Sequence, residues 1–228
     1  MKYRILSINC SNARWTALGL SEGGIVRGEI NLDLGKRQSS VLPSLVDFFL
    51  GSFLLKVTDL DFVAVVNGPG SFTGIKVGVA FSQFLAWACG GKPVIPLSSL
   101  ETLSYARPGR SHQYVCPLLW AGGGRVYSAL FGPAAAGECP KEAMPTRAYS
   151  RGELQAALAH SGARERDILF ISDAPEKCAG LFAETIIGPF EPAAPRGSAD
   201  VLLAEHYTHR AIPPQAVRAR YLRDPDIG

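Results

Sequence analysis

Twice along this chain, short β-rich runs joined by polar turns lead into an alternation of helix and strand, and that repeated order constrains the fold more than any single motif. In the first half, "YRILSIN" (3–9), "RWTALGL" (14–20) and "IVRGEIN" (25–31) are separated by "CSNA" and "SEGG" and read as a three-strand meander. A helix is expected over 40–55, with Ser40 as its cap and Pro43 tolerated in the first turn. The buried strand "FVAVVN", a helix over 74–89, the strand "KPVIPL" and the helix "SSLETLSYA", capped by Ser98 or Ser99, complete the order β-β-β-α-β-α-β-α.

"RPGRSHQ" (107–113) has a linker's composition, and a hairpin begins again after it, "YVCPLLW" and "VYSALFG" across "AGGGR". Then follow a loop over 133–145, a short strand near "TRAYS", the helix "RGELQAALAH", the strand "ILFISD", the helix "EKCAGLFAETI" and the helix "ADVLLAEHYTHR". The expected architecture is a loosely duplicated α/β chain, with an N-terminal lobe over 1–108 and a C-terminal lobe over 109–228.

With 228 residues, 47% of them apolar, the chain can bury a substantial core. A formal charge of +3 is too small to assign a polyanionic partner. Cys10, Cys89, Cys116, Cys139 and Cys178 lie far apart with no C-x-x-C pair, which fits neither a disulfide framework nor a zinc ribbon. The N-terminus turns polar too quickly for a secretory signal, and no apolar run reaches the roughly 18 residues of a membrane span. A cytoplasmic protein is expected.

"NGPGSFTG" lies between a strand and a helix, where a phosphate cradle would be. Its spacing fits neither phosphate motif: five residues separate Gly68 from Gly74, and Lys76 falls two places after the last glycine instead of one. The dinucleotide fingerprint fails too, because Gly-x-Gly-x-x-x-Gly is one residue too long. Two readings remain: a turn capped by Thr73 or Ser71, which the spacing favours, or a weak anion site made by Gly68, Gly70, Ser71, Thr73 and Gly74 at a helix N-terminus.

The helices on either side are apolar around most of their circumference. Val41, Leu42, Leu45, Val46, Phe48, Phe49, Leu50, Phe53, Leu54 and Leu55 crowd the first, and Lys76, Ser82 and Gln83 are almost the only polar side chains of the second. Such helices need cover on two sides, either from the rest of the chain or from another protein.

The run "NGPGSFTGIKVGVAFSQFLAWACGGKPVIPLSSLETLS" resembles the glycine-loop segment of the TsaB (YeaZ) family, which serves the formation of threonylcarbamoyladenosine in tRNA. "KRQSSVLPSLVDFFL" is similar to that family's "HSQ-x-L-x-P" helix, "AGGGRVYSALF" to its second hairpin, and "RARYLRDPD" to its "YLR" segment. The resemblance implies a two-lobe α/β fold of the actin-like, Hsp70-like ATPase type, built on ribonuclease H-like lobes. It also implies a non-catalytic subunit in which no residue of this chain is catalytic and none binds metal. The cognate partner would be a TsaD-like transferase, bound through Val41, Leu45, Phe49, Phe53, Phe81, Phe84 and Trp87.

A TsaE-like ATPase, tRNA reached through the complex, and a homodimer through the same helices are further expected partners. No cofactor is expected in this chain, with ATP and metal in the partner subunits. The departures from the family pattern agree: Asn9-Cys10-Ser11 replaces its "DTS", Trp120 its hairpin aspartate, and Arg125 its glutamate. Losing those acids argues against holding Mg²⁺ and phosphates. The loop over 173–180 lacks the glycine pair of an adenosine-binding turn. The rival expectation is an ATP-dependent phosphotransferase or ATPase on the same fold.

His206 and His209 could share a helix face, but no carboxylate accompanies them, and His112 and His160 lie in unrelated segments. "GPGSFTG" is not a nucleophile elbow, and Cys10 reads as a small buried residue. Arg210, Arg218, Arg220 and Arg223 make a mildly basic tail, read either as a solvated terminus or as a contact to tRNA within an assembly.

Overall fold

The computed structural model describes residues 2–107, 113–135, 137–182 and 190–223, and divides into two units. Most of the 107–113 linker, His112, and the end of the helix expected over 176–186 lie outside the described residues.

In the first unit, β1 (Arg4–Asn9), β2 (Trp15–Glu22) and β3 (Ile25–Asp33) form the expected meander, while β4 (Phe62–Gly68) and β5 (Val94–Ser98) run parallel to β1. The sheet order is β3-β2-β1-β4-β5. Burial follows from the sequence pattern. Strand β4 and strand β1, the latter apolar except for Ser7 between its ends, are buried on both faces, and the alternating edge strand β3 is half exposed.

Between these strands lie α1 (Gln38–Gly51), α2 (Phe72–Ala88) and α3 (Ser99–Ala106). Helix α1 begins two residues before the expected Ser40 cap, because buried Gln38 anchors it: Nε2 donates to the carbonyls of Asn12 (3.0 Å) and Trp15 (2.9 Å). Pro43 therefore falls in the second turn. Helix α2 begins where Ser71 caps it, Oγ accepting from the Gly74 amide at 3.3 Å.

The second unit repeats the plan. Strands β6 (Tyr114–Gly122), β7 (Arg125–Phe131) and β8 (Glu142–Ser150) form the antiparallel part, and β9 (Ile168–Ser172) and β10 (Phe190–Pro192) run parallel to β6, giving β10-β9-β6-β7-β8. Helix α4 (Arg151–His160) starts at a Ser150–Glu153 capping box, and α5 (Pro175–Phe182) follows β9. Two of these elements depart from expectation: β8 begins inside the stretch read as loop, and β10 has no counterpart in the sequence reading. Read from the third strand of each meander, both sheets have the order 3-2-1-4-5 of a ribonuclease H-like unit. Two such units in one chain make the actin-like, Hsp70-like ATPase fold.

The division between the units differs from a single break at 108. The boundary falls inside α3, between Thr102 and Leu103, and residues 195–220 belong with the first unit. Helix α6 (Gly197–His206) packs on β1 and β2, so closely that a Cβ on Gly197 would lie 1.8 Å from the Leu18 carbonyl oxygen. Beyond it, Ile212 bridges to Val94, Gln83 Nε2 donates to the carbonyls of Pro214 and Val217, and the Arg220 amide donates to Asn67 O at 2.7 Å. Backbone pairing of this kind cannot be read from side-chain periodicity. Among the described residues, no helix is long and apolar enough to cross a membrane.

Candidate protein interface and the glycine loop

Helix α1 has a defined inner stripe despite its uniformly apolar sequence. Gln38, Leu42, Val46, Phe49 and Leu50 are buried, Val41 and Leu45 flank them half-buried, and Phe48 points outward at 67% exposure. Phe49, expected at the interface, is 3% exposed and packs edge-on against Phe53 at 5.5 Å between ring centroids. It is a core residue. Its neighbour Phe48, turned about 100° around the helix, takes the outward position.

Helix α2 is placed the same way. Ile75, Val79, Leu85 and Ala86 face the sheet, Phe81 is half-buried against the core, and Phe84 (66%) and Trp87 (70%) stand out, their rings 6.4 Å apart. Thr73, Lys76, Ala80, Phe84, Trp87 and Ala88 form one exposed stripe at helical spacing. Of the seven residues expected at an interface, Phe84 and Trp87 are fully outward, Val41, Leu45, Phe53 and Phe81 line the boundary with the core, and Phe49 is inside. Exposing three large aromatics on two adjacent helices is costly in water, and such a surface suits association.

The glycine loop packs against the chain's own β1–β2 turn. The Ser71 amide donates to Ser11 O at 2.7 Å and the Gly74 amide to the Ser71 hydroxyl, so two donors that an anion would use already have acceptors. A Cβ at Gly74 would lie 2.0 Å from the Cys10 carbonyl oxygen, so glycine here permits close approach of α2 to β1. Thr73 stays exposed, and Gly68 and Gly70 are the turn itself. The geometry is that of a capped turn.

Asn9, where the resemblance places an acid, is 1% exposed and fully engaged. Its Oδ1 accepts from the Ser11 amide (3.1 Å) and hydroxyl (2.8 Å), and its Nδ2 donates to Asp200 Oδ2 at 2.9 Å. An amide N–H cannot ligate a cation. Asp200 is wholly buried, and burial pushes its carboxyl up to about 7 despite the Asn9 bond, with the negative charge of Glu29 adding to the rise. Its Oδ1 has no hydrogen-bond partner among the described residues, and the neighbouring Thr102, whose hydroxyl donates to Ser99 O, tempers the rise together with Asn9. Sequence reasoning missed Asp200, since nothing in "GSADVLLAEH" marks one acid as interior.

In the second unit Trp120 packs half-buried against the core, and Arg125 Nη1 donates to Glu153 at 2.7 Å and to Ala148 O at 3.1 Å. Neither offers an oxygen ligand. His209 packs edge-on to Tyr207 in a short 3₁₀ turn, and no cluster of metal-ligating side chains occurs among the described residues. Burial pushes the thiols of Cys10 and Cys116 up to about 12, which suits small core residues and not nucleophiles.

The sequence profile described as "TsaD: tRNA N6-adenosine threonylcarbamoyltransferase" matches residues 27–188, well over half the chain. The chain belongs to this family. Within it, TsaB/YeaZ proteins are its relatives by name. The tRNA threonylcarbamoyladenosine biosynthesis protein TsaB of Bacillus subtilis (strain 168) is 34% identical over 56% of this chain and 54% of its own length. YeaZ of Pseudomonas aeruginosa superposes with a TM-score of 0.79 at 18% identity, covering 96% of this chain and 100% of that one, and shows the same fold. A tRNA N6-adenosine threonylcarbamoyltransferase of Chlorobaculum tepidum is 32% identical over 42% of this chain and 31% of its own length. The chain thus spans about half the length of the first TsaB relative it matches, and less of the transferase.

Proposed function

We propose that this chain is a non-catalytic subunit in the formation of threonylcarbamoyladenosine in tRNA, acting by binding a TsaD-like transferase through the outward faces of α1 and α2. The observation that carries the reading is the outward trio Phe48, Phe84 and Trp87, two of them stacked obliquely within one helix turn. A transferase of the same family supplies a partner of matching architecture, and large aromatics are the side chains that dominate protein interfaces. The capped glycine loop and the Asn9–Asp200 bond support a role without nucleotide turnover. Recruitment of a TsaE-like ATPase, contact with tRNA through the assembly, and pairing of two copies when the transferase is absent extend the same reading.

The test is co-elution of the purified chain with the transferase subunit from its own source. A stable complex that is lost on Trp87→Asp or Phe84→Asp, with each variant still folded, is the expected result. Absence of association with the wild-type chain overturns the reading. Calorimetry with ATP and Mg²⁺ on the chain alone should give no binding heat, and appreciable hydrolysis would favour an ATPase instead.

A further inference from the structure

The second unit carries a recess of about 390 Å³ whose described lining residues are Arg125, Thr146, Arg147, Ala148, Leu222 and Arg223, three guanidiniums and a hydroxyl with no carboxylate among those described. It lies where the start of β7, the edge strand β8 and the segment after residue 220 meet. We propose that this recess binds a phosphate group of an RNA backbone, resting for its choice of polyanion on the tRNA reading above.

Two of the three arginines are held in place by backbone. Arg223 Nη1 donates to the carbonyls of Ala121 and Gly122, both at 2.9 Å, which ties the "YLR" segment to the β6–β7 hairpin. Arg125 Nη1 donates to Ala148 O at 3.1 Å. Carbonyl acceptors at one Nη1 fix the orientation of each guanidinium plane, which pre-organises the fork for an oxyanion. Among the described residues, the nearby acids are Glu153, paired with Arg125 at 2.7 Å, and Glu142, which accepts from the Thr146 amide. The Glu153 side chain is 54% exposed, and an exposed pair of this kind contributes little, so a phosphodiester can compete for Arg125. Arg147 is exposed and forms no ion pair with any described residue.

The volume favours a phosphodiester over a free ion. A recess of about 390 Å³ holds on the order of a dozen waters at roughly 30 Å³ each, more than one phosphate fills, and leaves room for the adjoining riboses. Leu222 and Ala148 give those sugars apolar contact, and the Thr146 hydroxyl offers a neutral donor. This also gives a role to Arg223 of the basic tail, whereas Arg210 stacks on Tyr207 and Arg218 donates to the Val217 carbonyl.

The experiment titrates total tRNA, and separately inorganic phosphate and ATP, against the full chain over a range of salt concentrations, for wild type, Arg147→Glu and Arg147→Lys. Expected are tRNA binding by the wild type, at least about a tenfold loss in Arg147→Glu, a fall of about 1 in the slope of log K against log[salt], and partial retention in Arg147→Lys. Competition by ATP or phosphate should require millimolar concentrations. No tRNA binding by the wild type at low salt, an unchanged affinity and slope in Arg147→Glu, or displacement of tRNA by micromolar ATP each overturns the proposal. Co-elution of Arg147→Glu with the transferase subunit separates the two readings: it should be retained, because the α1–α2 face belongs to the other unit. If the wild type itself fails to co-elute, the subunit role falls while the phosphate site is still decided by the titration.

Discussion

Asn9 Nδ2 donates to Asp200 Oδ2 at 2.9 Å, joining the end of β1 to α6 across 191 positions of sequence. The bond engages the side chain at the position where the resemblance places an acid, and it brings a wholly buried carboxyl into the first unit.

That carboxyl makes stability depend on pH in an uncommon direction. Burial raises Asp200 from 3.8 to about 7, with Glu29 the charged group acting on it, so the folded chain holds a proton that the unfolded chain releases. The contribution is complete below about pH 3.8 and is lost as pH rises through about 7. Melting temperature should therefore fall by several degrees between pH 5 and pH 8, and Asp200→Asn should flatten that slope. The lowered carboxyls of Glu22, Glu29 and Glu153 act in the opposite sense only on acidification below about 4.5. A wild-type melting temperature independent of pH over 5 to 8 would contradict the assignment.

Restoring an acid at the end of β1 should harm the fold without restoring metal binding. Asn9→Asp puts two buried carboxyls in contact and removes the donor to Asp200, at a cost of about 3 kcal/mol. Chemical denaturation would measure the loss. A variant as stable as wild type, or one that binds Mg²⁺, would show that the pair is dispensable.

Close approach of α6 to β2 makes Gly197 intolerant of any side chain. Gly197→Ala should lower stability by about 2 kcal/mol or more, since the displaced atom is a backbone oxygen that cannot rotate away. Gly152→Ala in α4, where a Cβ meets nothing within 4 Å, should instead be neutral or stabilise by up to about 1 kcal/mol. Equal denaturant midpoints for the two variants would refute the packing argument.

Phe48 and Phe49 should separate binding from folding. Phe49→Ala is expected to cost about 3 kcal/mol of stability as a core truncation. Phe48→Ala, like Trp87→Ala, should leave melting almost unchanged and weaken association with the transferase subunit roughly tenfold. Joint measurement of melting and co-elution reads both.

Thiol reactivity should follow burial. Cys139, partly exposed, should react first with a disulfide reagent at pH 8, whereas Cys10 and Cys116 should react only on unfolding. Rapid labelling of Cys10 in the native chain would reopen a nucleophilic role for it.

The local structure of this chain was largely legible because local chemistry dictates it. "FVAVVN" is the buried strand its composition indicates, Ser71 is one of the two caps the sequence offered for α2, and α4 has the bounds its sequence indicates. The rotational phase of α1 was not legible: with both Phe48 and Phe49 apolar, only the anchoring of polar Gln38 decides which faces inward. Strand β10 escaped because three residues, one a proline, carry no periodicity. The partnership of Gly197 with Leu18, and of Asp200 with Asn9, depends on contacts between distant segments that neither segment announces.

The return of residues 195–220 to the first unit has a consequence for biogenesis. As the nascent polypeptide leaves the ribosome, β1 and β2 emerge long before the helix that covers them, so the opening sheet waits with one oily side uncovered until translation is nearly done. A chain built this way closes its first half last, and chaperones that bind exposed apolar strands have most of the synthesis time in which to act on it.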